Sequence, residues 1–207
     1  MTSLPRTNAQ VLLKTRPHGI PQAEHFEVVE SPLPALDEGQ FLVRNEFLSV
    51  EPAMRGWVNA AANYSDPVPV GGVMRSFAAG VVLASRHPDY AEGDQVMGML
   101  GWQQYAVSDG STIRRKVLER DLPLSLSLGV LGINGVTAYF ALNEIGEPRP
   151  GETVVVSTAA GSVGSAVGQI AKIAGCHREP SRPAWRWLLH SGARNPTPKS
   201  LACVRIC

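Results

Sequence analysis

Ala159, Gly161 and Gly164 occupy the three positions of the G-x-G-x-x-G spacing, with alanine in the first. The chemistry that spacing serves is the holding of a dinucleotide diphosphate. A middle residue without a side chain lets the anion approach bare main chain, and a small third residue lets a helix pack closely on the preceding strand. Gly161, Ser162, Val163 and Gly164 are therefore the candidate cofactor-binding residues. A glycine-rich turn in some other α/β protein is the competing reading, and the flanking sequence separates the two.

That flanking sequence has the required order. Thr153 to Thr158 is a short, uncharged, β-branched run, which predicts a strand covered on both faces. From Val163 the apolar residues Val163, Ala166, Val167, Ile170, Ile173 and Ala174 recur at helical spacing. The helix would open at the glycine turn, with unbonded N–H groups and the positive end of its dipole facing a phosphate. Upstream, Gly135 to Gly146 reads as a helix capped by Gly146, and 147–152 as the turn feeding the strand. Helix, strand, glycine turn and helix together open a doubly wound half.

Residues 1–118 have a different texture. Apolar runs at Val11–Leu13, His25–Glu30, Gln40–Val50, Gly72–Ser85, Gln95–Met99 and Gly101–Val107 alternate with turn residues. Short strands at this spacing predict a small β-barrel or rolled sheet. Residues 59–71 read as loop, and Leu122–Ile133 as a crossover between domains.

Bulk properties exclude other classes. Apolar content of 44% in 207 residues supports a core. A net charge of +1 argues against nucleic acid or an anionic membrane surface as partner. The start of the chain has no apolar signal segment and no run is long enough to span a bilayer, which predicts a cytoplasmic protein. Cysteines occur only at 176, 203 and 207, which gives no disulfide framework. His18, His25 and His87 are scattered, and Cys203, Cys207 and His190 are poorly spaced, so no metal site is expected.

Several segments together resemble the zinc-free medium-chain dehydrogenase/reductases, in the branch of prostaglandin reductases, alkenal double-bond reductases and their bacterial NADP-dependent relatives. The segments are Val50-Glu-Pro-Ala-Met-Arg-Gly, Gly93-Asp-Gln-Val-Met-Gly, Gly101-Trp-Gln-Gln-Tyr, Gly132-Ile-Asn-Gly-Val-Thr-Ala-Tyr-Phe and Ala159–Lys172. The resemblance implies a GroES-like barrel followed by a Rossmann domain, of which this chain holds only the first part, 119–176. It implies NADP as cofactor, and hydride transfer to the β-carbon of an α,β-unsaturated ketone or aldehyde. A quinone is the alternative substrate, a non-catalytic truncated product is the alternative to an enzyme, and longer relatives would form homodimers. Asn134 and Thr137 fall in the segment that approaches the nicotinamide in relatives. Ala53 stands where many relatives carry tyrosine, so no catalytic residue is assigned. Met54 and Arg55 read better as barrel packing and a surface or interdomain ion pair.

The family pattern stops at Cys176. Residues 177–207 hold six of the 19 basic groups and one of the 18 acids, a net +5 against −4 for residues 1–176. No apolar run of strand length precedes Trp185, and Glu179 has no strand to present it. We expect 177–207 to be a disordered tail, from out-of-frame or alternative coding, with a genuine short extension as the alternative. A strand at 153–158 would then have both edges bare, an aggregation hazard, and the half of the site that holds adenosine and the 2′-phosphate in relatives would be absent, which predicts negligible NADPH binding by the chain alone.

Overall fold

The computed structural model describes residues 4–60, 65–180 and 201–204. The chain divides into two compact units, with the division between Leu128 and Gly129.

The first unit is β-rich. A hairpin pairs β1 (Thr7–Leu13) antiparallel to β2 (Phe26–Pro32). Five further strands are β3 (Phe41–Leu48), β4 (Phe77–Ser85), β5 (Gln95–Met99), β6 (Tyr105–Ser108) and β7 (Ile113–Lys116). They form one antiparallel sheet in the order β6-β3-β4-β5-β7. Single bridges, Gln10 to Gln103 and Leu12 to Val73, tie the hairpin to the same unit. The sheet bends where register shifts interrupt β3, between Leu42 and Val43 and between Asn45 and Phe47. Phe41, Val43, Ala78, Val82, Val96, Leu100 and Ala106 fill one core cluster. A second cluster gathers Leu13, Val58, Val68 and Met74 with Met54 and Trp57 from α1 (Ala53–Trp57).

Two differences from the sequence reading arise here. β7, Ile113-Arg-Arg-Lys, was not expected, because three basic residues erase the apolar alternation that marks a strand. The first unit also runs ten residues beyond 118. A 3-10 segment, Leu124–Leu128, tucks Leu124 into a cluster with Ala79, Met97 and Val117.

The second unit holds α2 (Ile133–Phe140), β8 (Thr153–Val156), α3 (Ser162–Ile173), β9 (His177–Pro180) and β10 (Leu201–Val204). Val154 and Val156 of β8 are 0% and 2% exposed and share one core cluster with Ala138 and Leu142 and with Ala166, Val167 and Ala171 of α3.

Several expectations need correction. The strand expected over 153–158 ends at Val156, because Thr158 takes a left-handed backbone, φ +55°, that no strand accommodates. The helix expected over 135–146 begins at Ile133, and Ala141–Gly146 is wound as a π-helix. Its left-handed cap is Glu147, at φ 41°, rather than Gly146. Ile173, counted on the apolar stripe, is 85% exposed, at the last turn of α3. Finally, β8 does not stand with bare edges. β9 and β10 flank it in parallel, in the order β10-β8-β9, with Glu179 opposite Val155 and Cys203 opposite the same valine from the other side. The segment carrying Glu179 is thus a strand, although four residues ending in proline left no periodic signal. Residues 181–200 and 205–207, most of the expected tail, lie outside the described residues.

Candidate functional site

The candidate site is the turn between β8 and α3, and its geometry follows from three residues. β8 brings the chain out of the core at Val156. Thr158 then reverses it through its left-handed backbone, and its carbonyl accepts the N–H of Gly161 at 2.8 Å. Gly161 is the N-cap of α3, extended at φ −77°, ψ 165°. No side chain caps this helix end. Ser162, Val163 and Gly164 follow as the first turn, where a helix supplies no carbonyl acceptor for its own amides. The Ser165 hydroxyl donates to the Ser162 carbonyl at 3.0 Å, so it turns into the helix rather than over these amides.

The two glycines are not equivalent. A Cβ on Gly164 would lie 2.4 Å from the Thr158 carbonyl oxygen and 3.0 Å from Cα of Ala159, both main-chain atoms. Only glycine fits there, as the third position of the spacing demands. A Cβ on Gly161 would lie 3.2 Å from the Thr158 oxygen and 3.4 Å from Thr158 Cγ2. That crowding is milder, so packing alone does not require glycine at 161. In the fingerprint the middle glycine serves the close approach of a pyrophosphate to the main chain rather than packing. Ala159 packs against the core, and a first-position alanine fits there without strain.

Asn134 and Thr137 stand one turn apart on α2, and Ala138 beside them shares a core with Ala166 and Val167 of α3. The structure thus puts α2 and the glycine turn in one unit. The Thr137 hydroxyl donates to the Ile133 carbonyl at 2.7 Å, which leaves it only acceptor capacity toward a ligand.

The segment Glu51-Pro-Ala-Met-Arg lies in the other unit. Met54 is buried in the core, and the Arg55 guanidinium donates to the Asn59 side chain. The Ser49 hydroxyl donates to Glu51 at 2.7 Å. His25 Nδ1 accepts the Gln22 amide at 2.9 Å, and His87 Nδ1 accepts the Asp89 amide at 3.0 Å. Among the described residues, no group of three or more His, Cys, Asp or Glu is arranged to hold a metal ion. His190 and Cys207 lie outside the described residues. No described helix is long and apolar enough to cross a membrane. Sequence reasoning missed Thr158 as a shaping residue. The only signal was a β-branched residue placed where the strand has to stop.

Residues 9–115 match the family described as the N-terminal domain of oxidoreductase. The chain is 46% identical over 169 residues to the NADPH-dependent curcumin reductase of Escherichia coli, covering 82% of this chain and 49% of that protein. It is 35% identical over 175 residues to the 2-alkenal reductase (NADP(+)-dependent) of Nicotiana tabacum, covering 83% and 51%. The crystal structure of CurA from Vibrio vulnificus in complex with NADPH superposes with a TM-score of 0.75 at 40% identity, over 83% of this chain and 51% of that one. The chain spans about half the length of the curated relatives it matches.

Proposed function

This chain belongs to the zinc-free medium-chain dehydrogenase/reductase family, its first unit GroES-like and its second of Rossmann type, and from that premise we propose that it acts in NADPH-dependent reduction of the C=C bond of α,β-unsaturated ketones or aldehydes. The observation that carries the proposal is the turn at 158–164, where an uncapped helix start carries two glycines and Gly164 tolerates no side chain. Its similarity to a curcumin reductase and an alkenal reductase supports the substrate class.

NADPH, when bound, supplies a hydride for the β-carbon. The residues of this chain bind and orient. The amides of Ser162, Val163 and Gly164, at the positive end of the α3 dipole, hold the diphosphate. Asn134 and Thr137 on α2 would serve the nicotinamide end, Thr137 as an acceptor toward an N–H donor, since its hydroxyl already donates to the Ile133 carbonyl. Protonation of the α-carbon completes the reduction to a saturated carbonyl compound and NADP⁺.

The test has two readings of one folded sample. NADPH fluorescence titration reports binding, and NADPH consumption with 3-nonen-2-one reports turnover. The strands flanking β8 remove the bare-edge ground for expecting negligible binding; the other ground, the half of the relatives' length that this chain does not span, is what the titration tests. Saturable binding lost in Gly164→Val, with consumption of NADPH in the parent chain, is the expected result. No binding by a folded sample overturns the site. Binding without turnover favours a non-catalytic chain, and turnover with quinones but not enones favours a quinone reductase.

A further inference from the structure

Thr158 is one of two non-glycine residues with positive φ among the described residues, and it is the β-branched one. Branching at Cβ makes the left-handed well costly, so the conformation persists only where its surroundings demand it. Here the demand is visible. The Thr158 carbonyl oxygen accepts the Gly161 N–H at 2.8 Å. The same oxygen lies 2.4 Å from the point a Gly164 Cβ would occupy. One peptide group therefore sets both the bend before Gly161 and the depth at which α3 seats on the turn. Thr158 Cγ2, 3.4 Å from the Cβ position of Gly161, leans on the flank of that bend.

We propose that Thr158 is a positioning residue for the cofactor diphosphate: it holds the main chain of the turn in one conformation before the ligand arrives, so that the first-turn amides of α3 need no ordering on binding. The inference rests on the NADPH reading of the turn given above. A residue such as alanine at this position would escape the left-handed well readily in the free protein. Glycine would occupy the well without cost but would also leave it freely. Asparagine tolerates the well and keeps a side chain. These three behaviours separate positioning from mere packing.

The test compares the full chain with Thr158→Gly and Thr158→Asn, using NADPH fluorescence titration, thermal denaturation and amide hydrogen exchange across residues 157–165. Thr158→Gly should bind NADPH about tenfold more weakly, the cost of ordering roughly one residue on binding. Its thermal midpoint should not fall, because the strained backbone is relieved. Its turn amides should exchange faster than in the parent. Thr158→Asn should restore both affinity and protection. Equal affinity and equal protection in Thr158→Gly would overturn the proposal. So would a parallel loss of affinity and thermal stability, which marks a packing role. If the parent chain binds no NADPH while the exchange difference persists, the NADPH reading fails and the turn-fixing role of Thr158 stands.

Discussion

Gly164 is the residue of the candidate site with the least freedom. Its missing Cβ leaves 2.4 Å to a main-chain oxygen, and main chain cannot swing aside as a long side chain can. Gly164→Ala should therefore cost about 1–3 kcal/mol of stability, the range for forcing a methyl into a filled space, read as a lower urea midpoint with unchanged slope. Gly161→Ala, facing gaps of 3.2 and 3.4 Å, should cost less in stability and more in NADPH affinity. The spacing named both glycines from the sequence, but it could not rank them, since the ranking depends on where the Thr158 carbonyl points. A second residue prediction concerns Asp94. Hydrogen bonding to Lys116 at 2.7 Å, then to the Ala91 amide, holds its carboxyl below the usual carboxylate range. A depressed folded pKa means stability that is full above the unfolded pKa and is lost as pH falls through the folded one. Asp94→Asn should thus lower stability at neutral pH by about 0.5–1 kcal/mol, as for a partly exposed pair, and the gap from the parent should close in acid. A gap that stays constant with pH would point to packing instead.

At the scale of elements, α2 shows what periodicity conveys and what it omits. The apolar pattern of 135–146 announced a helix, and Ala138 and Leu142 are fully buried as that pattern requires. It did not announce the π-helical winding over Ala141–Gly146 or the left-handed cap at Glu147. Neither leaves a mark in the spacing of apolar residues, which is all that a single-segment pattern carries. The cap makes a clean test. A glutamate at φ 41° occupies a well that glycine occupies at no steric cost. Glu147→Gly should raise stability by about 0.5–1 kcal/mol in urea denaturation, and a loss would show that the glutamate side chain supports the cap. At the other end of α2, a Cβ on Gly135 would lie 1.7 Å from the Val130 carbonyl oxygen, so even alanine would displace the segment leading into the helix. β7 and β9 were illegible for a related reason. Their pairing with β5 and β8 comes from neighbours distant in the chain, while their own residues are basic or end in proline.

At the scale of the whole molecule, the two units draw on separate cores. Val43, Val82 and Val96 share one cluster in the first, and Leu142, Val154 and Val167 share another in the second. The sequence conveyed this division through texture: alternating short strands early, then a helix-strand-turn-helix unit. Its boundary shifted because Leu124 packs with Ala79 and Met97 of the sheet, a contact between residues far apart in the chain. Separate cores predict separable unfolding. Residues 1–128 alone should melt cooperatively, with the near-ultraviolet signal of Trp57 and Trp102 intact below the transition. In the full chain, calorimetry should resolve two transitions, and Gly164→Ala should lower only the one that the 1–128 fragment lacks. A single transition that moves as a whole in Gly164→Ala would show instead that the glycine turn stabilises the barrel too.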